Sequence, residues 1–164
     1  MIGLETERLQ FRHWTNADHP SVANFYNDEN NAKYVGGVKT SEEAWRIIAT
    51  YLGHFHLKGY SYLAITEKES DHLIGTVGLW KSPAWPEHEM GYWLLPEFQG
   101  KGYGLEAATA VKQYASEQDE FTTLVSYIDS NNRPSINLAN KLGAQFDKTI
   151  ELMHHGPHDV YRYW

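Results

Sequence analysis

The hydrophobic pattern of this chain switches repeatedly between period two and a helical period, and the switches mark out its elements. Over residues 8–14, Leu9, Phe11 and His13 alternate with Arg8, Gln10 and Arg12, which suits a half-buried first strand. Asn16 to Pro20 carries turn and helix-start residues, after which Val22, Phe25 and Tyr26 supply a short apolar face. Residues 27–31 are polar enough to read as a loop, and Gly36-Gly37 breaks whatever precedes it. Thr40 and Glu43 have capping-box spacing. Trp45, Ile48, Leu52 and Phe55 then recur at helical intervals, so the spacing predicts an amphipathic helix over about residues 41–56 with these four on its apolar side, closed by Gly59.

Period two returns over residues 61–67 and 73–80, and the charged turn between them predicts an antiparallel hairpin. A rigid aromatic connection, Ser82-Pro83-Ala84-Trp85-Pro86, leads into a strand over residues 87–95. Its Glu89, Gly91 and Trp93 share one face, and Met90, Tyr92 and Leu94 the other. Pro96 ends it. A second helix carries Ala107, Ala108, Val111, Tyr114 and Ala115 on its buried stripe and fades over residues 116–120. Residues 121–128 alternate as a strand. Asp129 to Pro134 starts another helix, with Ile136, Leu138, Ala139 and Leu142 inward and Gly143 as its stop. Strands over 144–152 and 159–164 finish the chain, with a histidine-rich connection between them. At 164 residues, with no internal repeat, low-complexity tract or linker, the expectation is one domain over residues 1–164.

Between the strand ending at Leu95 and the helix that follows lies Gln99-Gly100-Lys101-Gly102-Tyr103-Gly104. Strand, glycine loop, helix is the order that builds an anion site. Glycines at alternate positions let the backbone adopt positive φ and approach a ligand, and successive N–H groups can share one concavity at a helix N-terminus. The guest this predicts is a phosphate or pyrophosphate. The formal net charge of −7 argues against nucleic acid as a partner and requires a polyanion to be met by a local cluster of donors, for which Lys101, Arg133 and Lys141 are candidates. A dinucleotide fingerprint fails because its third glycine would fall at Leu105, and no Walker lysine spacing is present. The absence of cysteine excludes disulfides and thiolate chemistry. No apolar run reaches membrane-spanning length, so no membrane partner is expected and the chain reads as cytosolic (cytoplasmic). His154, His155 and His158 lack a carboxylate pattern around them, and the expectation is no metal.

The stretch from Glu89 to Ala107 closely resembles the acetyl-CoA-binding motif of the GNAT superfamily of N-acetyltransferases, whose core begins here at Gln99 and uses Gly102 and Gly104. Asn132 to Gly143, with Asn132, Ser135 and Lys141-Leu142-Gly143, is similar to a signature of the branch that includes ribosomal-protein N-terminal acetyltransferases, as is the opening from Leu4 to Leu9. The resemblance covers nearly the whole chain. It implies a single α/β (α+β) fold around a mixed, mostly antiparallel twisted sheet with helices on both faces. It also implies acetyl-CoA as acetyl donor. The amides of Gln99, Gly100, Lys101, Gly102, Tyr103 and Gly104 would bind the pyrophosphate, Leu94 and Leu95 the pantetheine arm, and Asn132, Ser135 and Asn137 the sulfur end. The acceptor would be a primary amine, either a protein N-terminus or a small molecule such as a polyamine or aminoglycoside. A homodimer is common in the family.

Acetyl transfer to an amine needs a neutral nucleophile, a polarised carbonyl and a proton for the thiolate. A lysine-type amine has a pKa near 10.4, so neutralising it at pH 7 costs roughly 4 to 5 kcal/mol and a base is useful. Glu89 matches a position where many family members hold a carboxylate, and reads either as that base, acting through water, or as a plain strand carboxylate. The tyrosine that protonates the thiolate in several branches is replaced here by Ala139. Ser135 is the remaining candidate, though serine also favours helix starts. Trp85, in its proline-flanked loop, is a candidate wall of the acceptor pocket. The rival reading is a non-catalytic CoA-binding or sensing module on the same scaffold.

Overall fold

The structure, a computed structural model, describes residues 1–164. Its elements in chain order are β1 (Leu9–Arg12), α1 (His19–Asn27), α2 (Glu29–Ala32), α3 (Ser41–Lys58), β2 (Tyr62–Glu67), β3 (Leu73–Trp80), β4 (Glu89–Leu94), α4 (Tyr103–Ser116), β5 (Val125–Ile128), α5 (Arg133–Lys141), β6 (Gln145–Glu151) and β7 (Pro157–Arg162). The seven strands make one sheet in the order β1-β2-β3-β4-β5-β7-β6. Every pairing is antiparallel except β4 with β5. Helices lie on both faces. Met90 and its face of β4 pack with α4 in the larger core cluster, while Trp93 packs with α1 and α3 in a second. This is the α/β, mostly antiparallel architecture expected from the sequence.

The local rules account for most boundaries. Thr40 Oγ1 accepts from the Glu43 N–H at 3.2 Å while Glu43 accepts from the Thr40 N–H at 2.8 Å, so the capping box starts α3; Gly59, at φ +80°, ends it. The inward stripe of α3 differs from the expected one. Trp45 and Leu52 are 44% and 37% exposed, whereas Ala44, Ile48 and His54 are buried. His54 can occupy a core position because Tyr60 O lies 2.8 Å from its Nδ1 and its ring stacks on Trp80 at 4.0 Å. The polar run after α1 contains the one-turn helix α2, since the Asp28 carboxylate accepts from the Asn30 and Asn31 N–H groups. The strand expected over 121–128 is confined to Val125–Ile128, because Phe121 turns into the core against Tyr60.

One feature of the sheet sets up the site. β4 is fully laddered to β3, from Trp80↔Glu89 to Gly75↔Leu94, but it meets β5 only at Glu89↔Val125. Beyond that point the two strands part. Side chains span the gap instead: Ser126 Oγ donates to Met90 O at 2.5 Å, and the Tyr92 hydroxyl donates to Ser135 O at 3.1 Å.

Candidate active site

The glycine loop sits where β4 ends. Gln99 is anchored from both sides, its N–H donating to Pro96 O and its side-chain amide to Leu94 O at 3.0 Å. Gly100 and Gly102 take φ of +72° and +83°, the left-handed region that side chains disfavour. The backbone N–H groups of Gly100, Lys101, Gly102, Tyr103, Gly104 and Leu105 donate to nothing in the protein, and α4 has no side-chain cap. Six adjacent orphan donors at the start of a 14-residue helix make a strongly electropositive concavity.

The loop is held from below by residues that sequence reasoning did not single out. The Arg8 guanidinium donates to Lys101 O at 3.1 Å, pairs with Glu106 at 2.6 Å and lies over the Tyr103 ring at 4.3 Å. Tyr103 is buried and its hydroxyl donates to Glu67. An arginine just before β1 and a glutamate on α4, nearly 100 positions apart, carry no pairing signal in one sequence. The Lys101 side chain is exposed, with Nζ 5.6 Å from the Phe98 ring, and Arg133 and Lys141 stand exposed at opposite ends of α5.

Along β4 the ladder decides which amides are free. Leu95 N–H donates to Ile74 O at 2.8 Å, so alternation turns the N–H groups of Leu94 and Tyr92 away from β3, toward the gap left by β5. Leu95 is therefore committed to the sheet through its amide, and Leu94 is the open position of the expected pair. The second motif borders the same gap. Asn132 caps α5 by accepting from the Ser135 N–H at 3.3 Å, and the Ser135 hydroxyl makes no hydrogen bond of its own within the protein. Asn137 is exposed on α5, away from the cleft lining. Ala139 is fully buried.

Glu89 lies at the other end of the open strand, 9% exposed, in the wall of a cleft of about 690 Å³ that Asn132 and Ser135 also line. Burial pushes its pKa up to about 7, opposed by the Tyr62 hydroxyl, which donates to its Oε2 at 3.2 Å, and by the nearby Trp85 indole and Tyr127 backbone N–H. The Trp85 indole N–H itself makes no conventional hydrogen bond. Tyr51, Tyr62 and Trp80 form an aromatic wall beside the carboxylate, with the Tyr62 and Trp80 rings stacked at 5.8 Å. Lys33 to Gly37, Lys39, His154, His155 and His158 also line the cleft. No group of three or more metal-ligating side chains is arranged to hold an ion.

Residues 8–145 match the family model for the acetyltransferase (GNAT) domain. The chain belongs to the GNAT acetyltransferase family. Among GNAT relatives, an uncharacterized N-acetyltransferase of Bacillus subtilis, YnaD, is 28% identical over 141 residues, covering 85% of this chain and 81% of the relative. The crystal structure of an acetyltransferase from Agrobacterium tumefaciens superposes with a TM-score of 0.89 at 33% identity, over 98% of this chain and 93% of that one. A spermidine N-acetyltransferase from Vibrio cholerae, in complex with CoA and spermine, shares the fold with a TM-score of 0.72 at 20% identity, over 94% and 92% of the two chains. Ribosomal-protein acetyltransferases are structural neighbours as well. Asn132 and Ser135 line the cleft that opens where β4 and β5 part.

Proposed function

We propose that this protein transfers an acetyl group from acetyl-CoA to a primary amine. The observation that carries the reading is the row of unpartnered N–H groups from Gly100 to Leu105 beside a strand whose own amides open onto a gap. Those donors suit a diphosphate, and the gap suits an extended arm that pairs with Leu94 and Tyr92 in the manner of an added strand. Bound acetyl-CoA supplies a thioester acyl group and a thiol leaving group.

The chain's own residues then divide the work. The amides of Gly100 to Leu105 hold the diphosphate, with Lys101 as a mobile counter-charge and Gln99 fixing the loop to β4. Leu94 N–H and Tyr92 N–H are the open amides of β4, and the one beside the thioester polarises the acyl oxygen. Glu89, about half ionised at neutral pH, takes a proton from the incoming ammonium through water. The nitrogen then bonds to the acyl carbon as the carbon–sulfur pair leaves on sulfur; Ser135 hydrogen-bonds the sulfur, and one net proton is released to solvent. With a thiol pKa near 8.5, a strong acid at Ala139 is not required.

The competing reading, a CoA-binding or sensing module without catalysis, takes its support from Ala139. Calorimetry with acetyl-CoA and thiol release across an amine panel separate the two. Saturable binding together with amine-dependent thiol release supports the enzyme. Binding with no thiol release above background from any amine supports the module, and no binding overturns both.

A further inference from the structure

The acceptor side of the cleft has a charge unlike that of the whole chain. Its lining contains two carboxylates, Glu89 and Asp129. Glu89 is the buried acid already described, and Asp129 Oδ1 is occupied by the Asn131 backbone and side-chain N–H groups at 2.8 and 3.0 Å. Against these stand Lys33 and Lys39, neither of which meets a carboxylate within 4 Å. Lys33 Nζ lies 4.6 Å from the Tyr34 ring, and Lys39 Nζ donates to Gly36 O. Both ammonium groups keep spare donors. Lys39 also bears on the histidines of the lining: the His155 pKa is held below its usual value by burial first, then by His154, His158 and Lys39. The walls of the same cleft are aromatic, and its volume, about 690 Å³, is that of a small-molecule site.

A polyamine or aminoglycoside would bring several positive charges into this basic lining, well inside a screening length of about 8 Å. Resting on the acetyl-transfer reading above, we propose that the acceptor is a small amine that also carries a carboxylate on an aromatic or apolar body, of amino-acid size. The carboxylate meets Lys39 and Lys33, the apolar body lies on the aromatic walls, and the amine faces Glu89. The overall −7 charge attracts cations to the surface in general, but the cleft selects against them.

The test measures thiol release from acetyl-CoA by the full chain with phenylalanine, tryptophan, their amides, a short acidic peptide, spermidine and kanamycin. The expected result is that the free amino acids give the highest kcat/KM, at least about tenfold above their amides, the loss expected for one charge-assisted hydrogen bond. Lys39→Gln and Lys33→Gln, in the cleft lining and outside the core, should shrink that ratio by raising KM for the acids while leaving the amides and acetyl-CoA affinity unchanged. Faster turnover of spermidine, kanamycin or the peptide, equal rates for acid and amide, or a ratio unmoved by both lysine variants would overturn this assignment and leave the acetyltransferase standing. Silence from every amine, with acetyl-CoA still bound, would overturn the acetyl-transfer reading and this assignment with it.

Discussion

Replacing Glu89 by Gln should remove activity and stabilise the protein at the same time. The carboxyl is 9% exposed and faces Tyr62, and burial raises its pKa from 4.5 to about 7. Between those values the folded state binds more protons than the unfolded state, so stability falls as pH rises through this window and levels off above pH 7. At about 1.4 kcal/mol per pH unit, the full effect is roughly 3 kcal/mol at pH 8 and under about 1 kcal/mol at pH 5. Glutamine is isosteric, keeps an acceptor for the Tyr62 hydroxyl and carries no charge. Urea denaturation should therefore find Glu89→Gln more stable than the parent by roughly 3 kcal/mol at pH 8, with the two nearly converging at pH 5. The rate should show the complementary pattern. Parent kcat/KM should fall about tenfold per unit below pH 7, while the residual rate of the variant loses that inflection. A variant no more stable than its parent at pH 8, with a parent rate flat through pH 7, would refute both the burial argument and the base assignment.

Other consequences can be measured independently. Gly102→Val forces a side chain into φ +83°, with its Cβ 3.4 Å from Arg8 Nη2; calorimetry should show CoA affinity weakened at least tenfold, with about 1 to 3 kcal/mol of strain in the loop. Ser135→Ala leaves no protein group unpaired, so denaturation should change by less than about 0.5 kcal/mol; a fall in kcat without a change in acetyl-CoA affinity would mark the hydroxyl as a sulfur contact. Thr40→Ala removes the α3 cap and should cost about 1 kcal/mol in urea unfolding with no effect on KM for either substrate.

Much of the architecture was legible because local chemistry and global fold agree. The Thr40–Glu43 box, the alternation of β4 and the glycines at 100 and 102 each specify one backbone conformation, and the structure adopts it. The same alternation put Glu89 and Trp93 on one face, the face that Trp93 packs against α1 and α3. The inward stripe of α3 was misread because hydrophobicity ranks Trp45 above His54. Tertiary partners reverse that order, Trp45 donating to Asn16 Oδ1 at the surface while His54 is satisfied by backbone groups of Tyr60 and Lys81. Arg8 and Glu106 escaped notice because contacts between distant segments leave no mark on either one. The basic lining was hidden for a related reason: Lys33, Lys39 and the three histidines come from segments more than a hundred residues apart, and the sum over the chain has the opposite sign.

A sheet parted at its centre behaves as two blades joined near a single rung. β1 to β4 form one and β5 to β7 the other, meeting by backbone only around Glu89 and Val125. Whatever threads the opening supplies the missing rungs and ties the blades together, so guest and scaffold melt as one unit. Resistance to heat should then climb with the logarithm of guest concentration above its dissociation constant, and proteases should cut the empty form first near the seam.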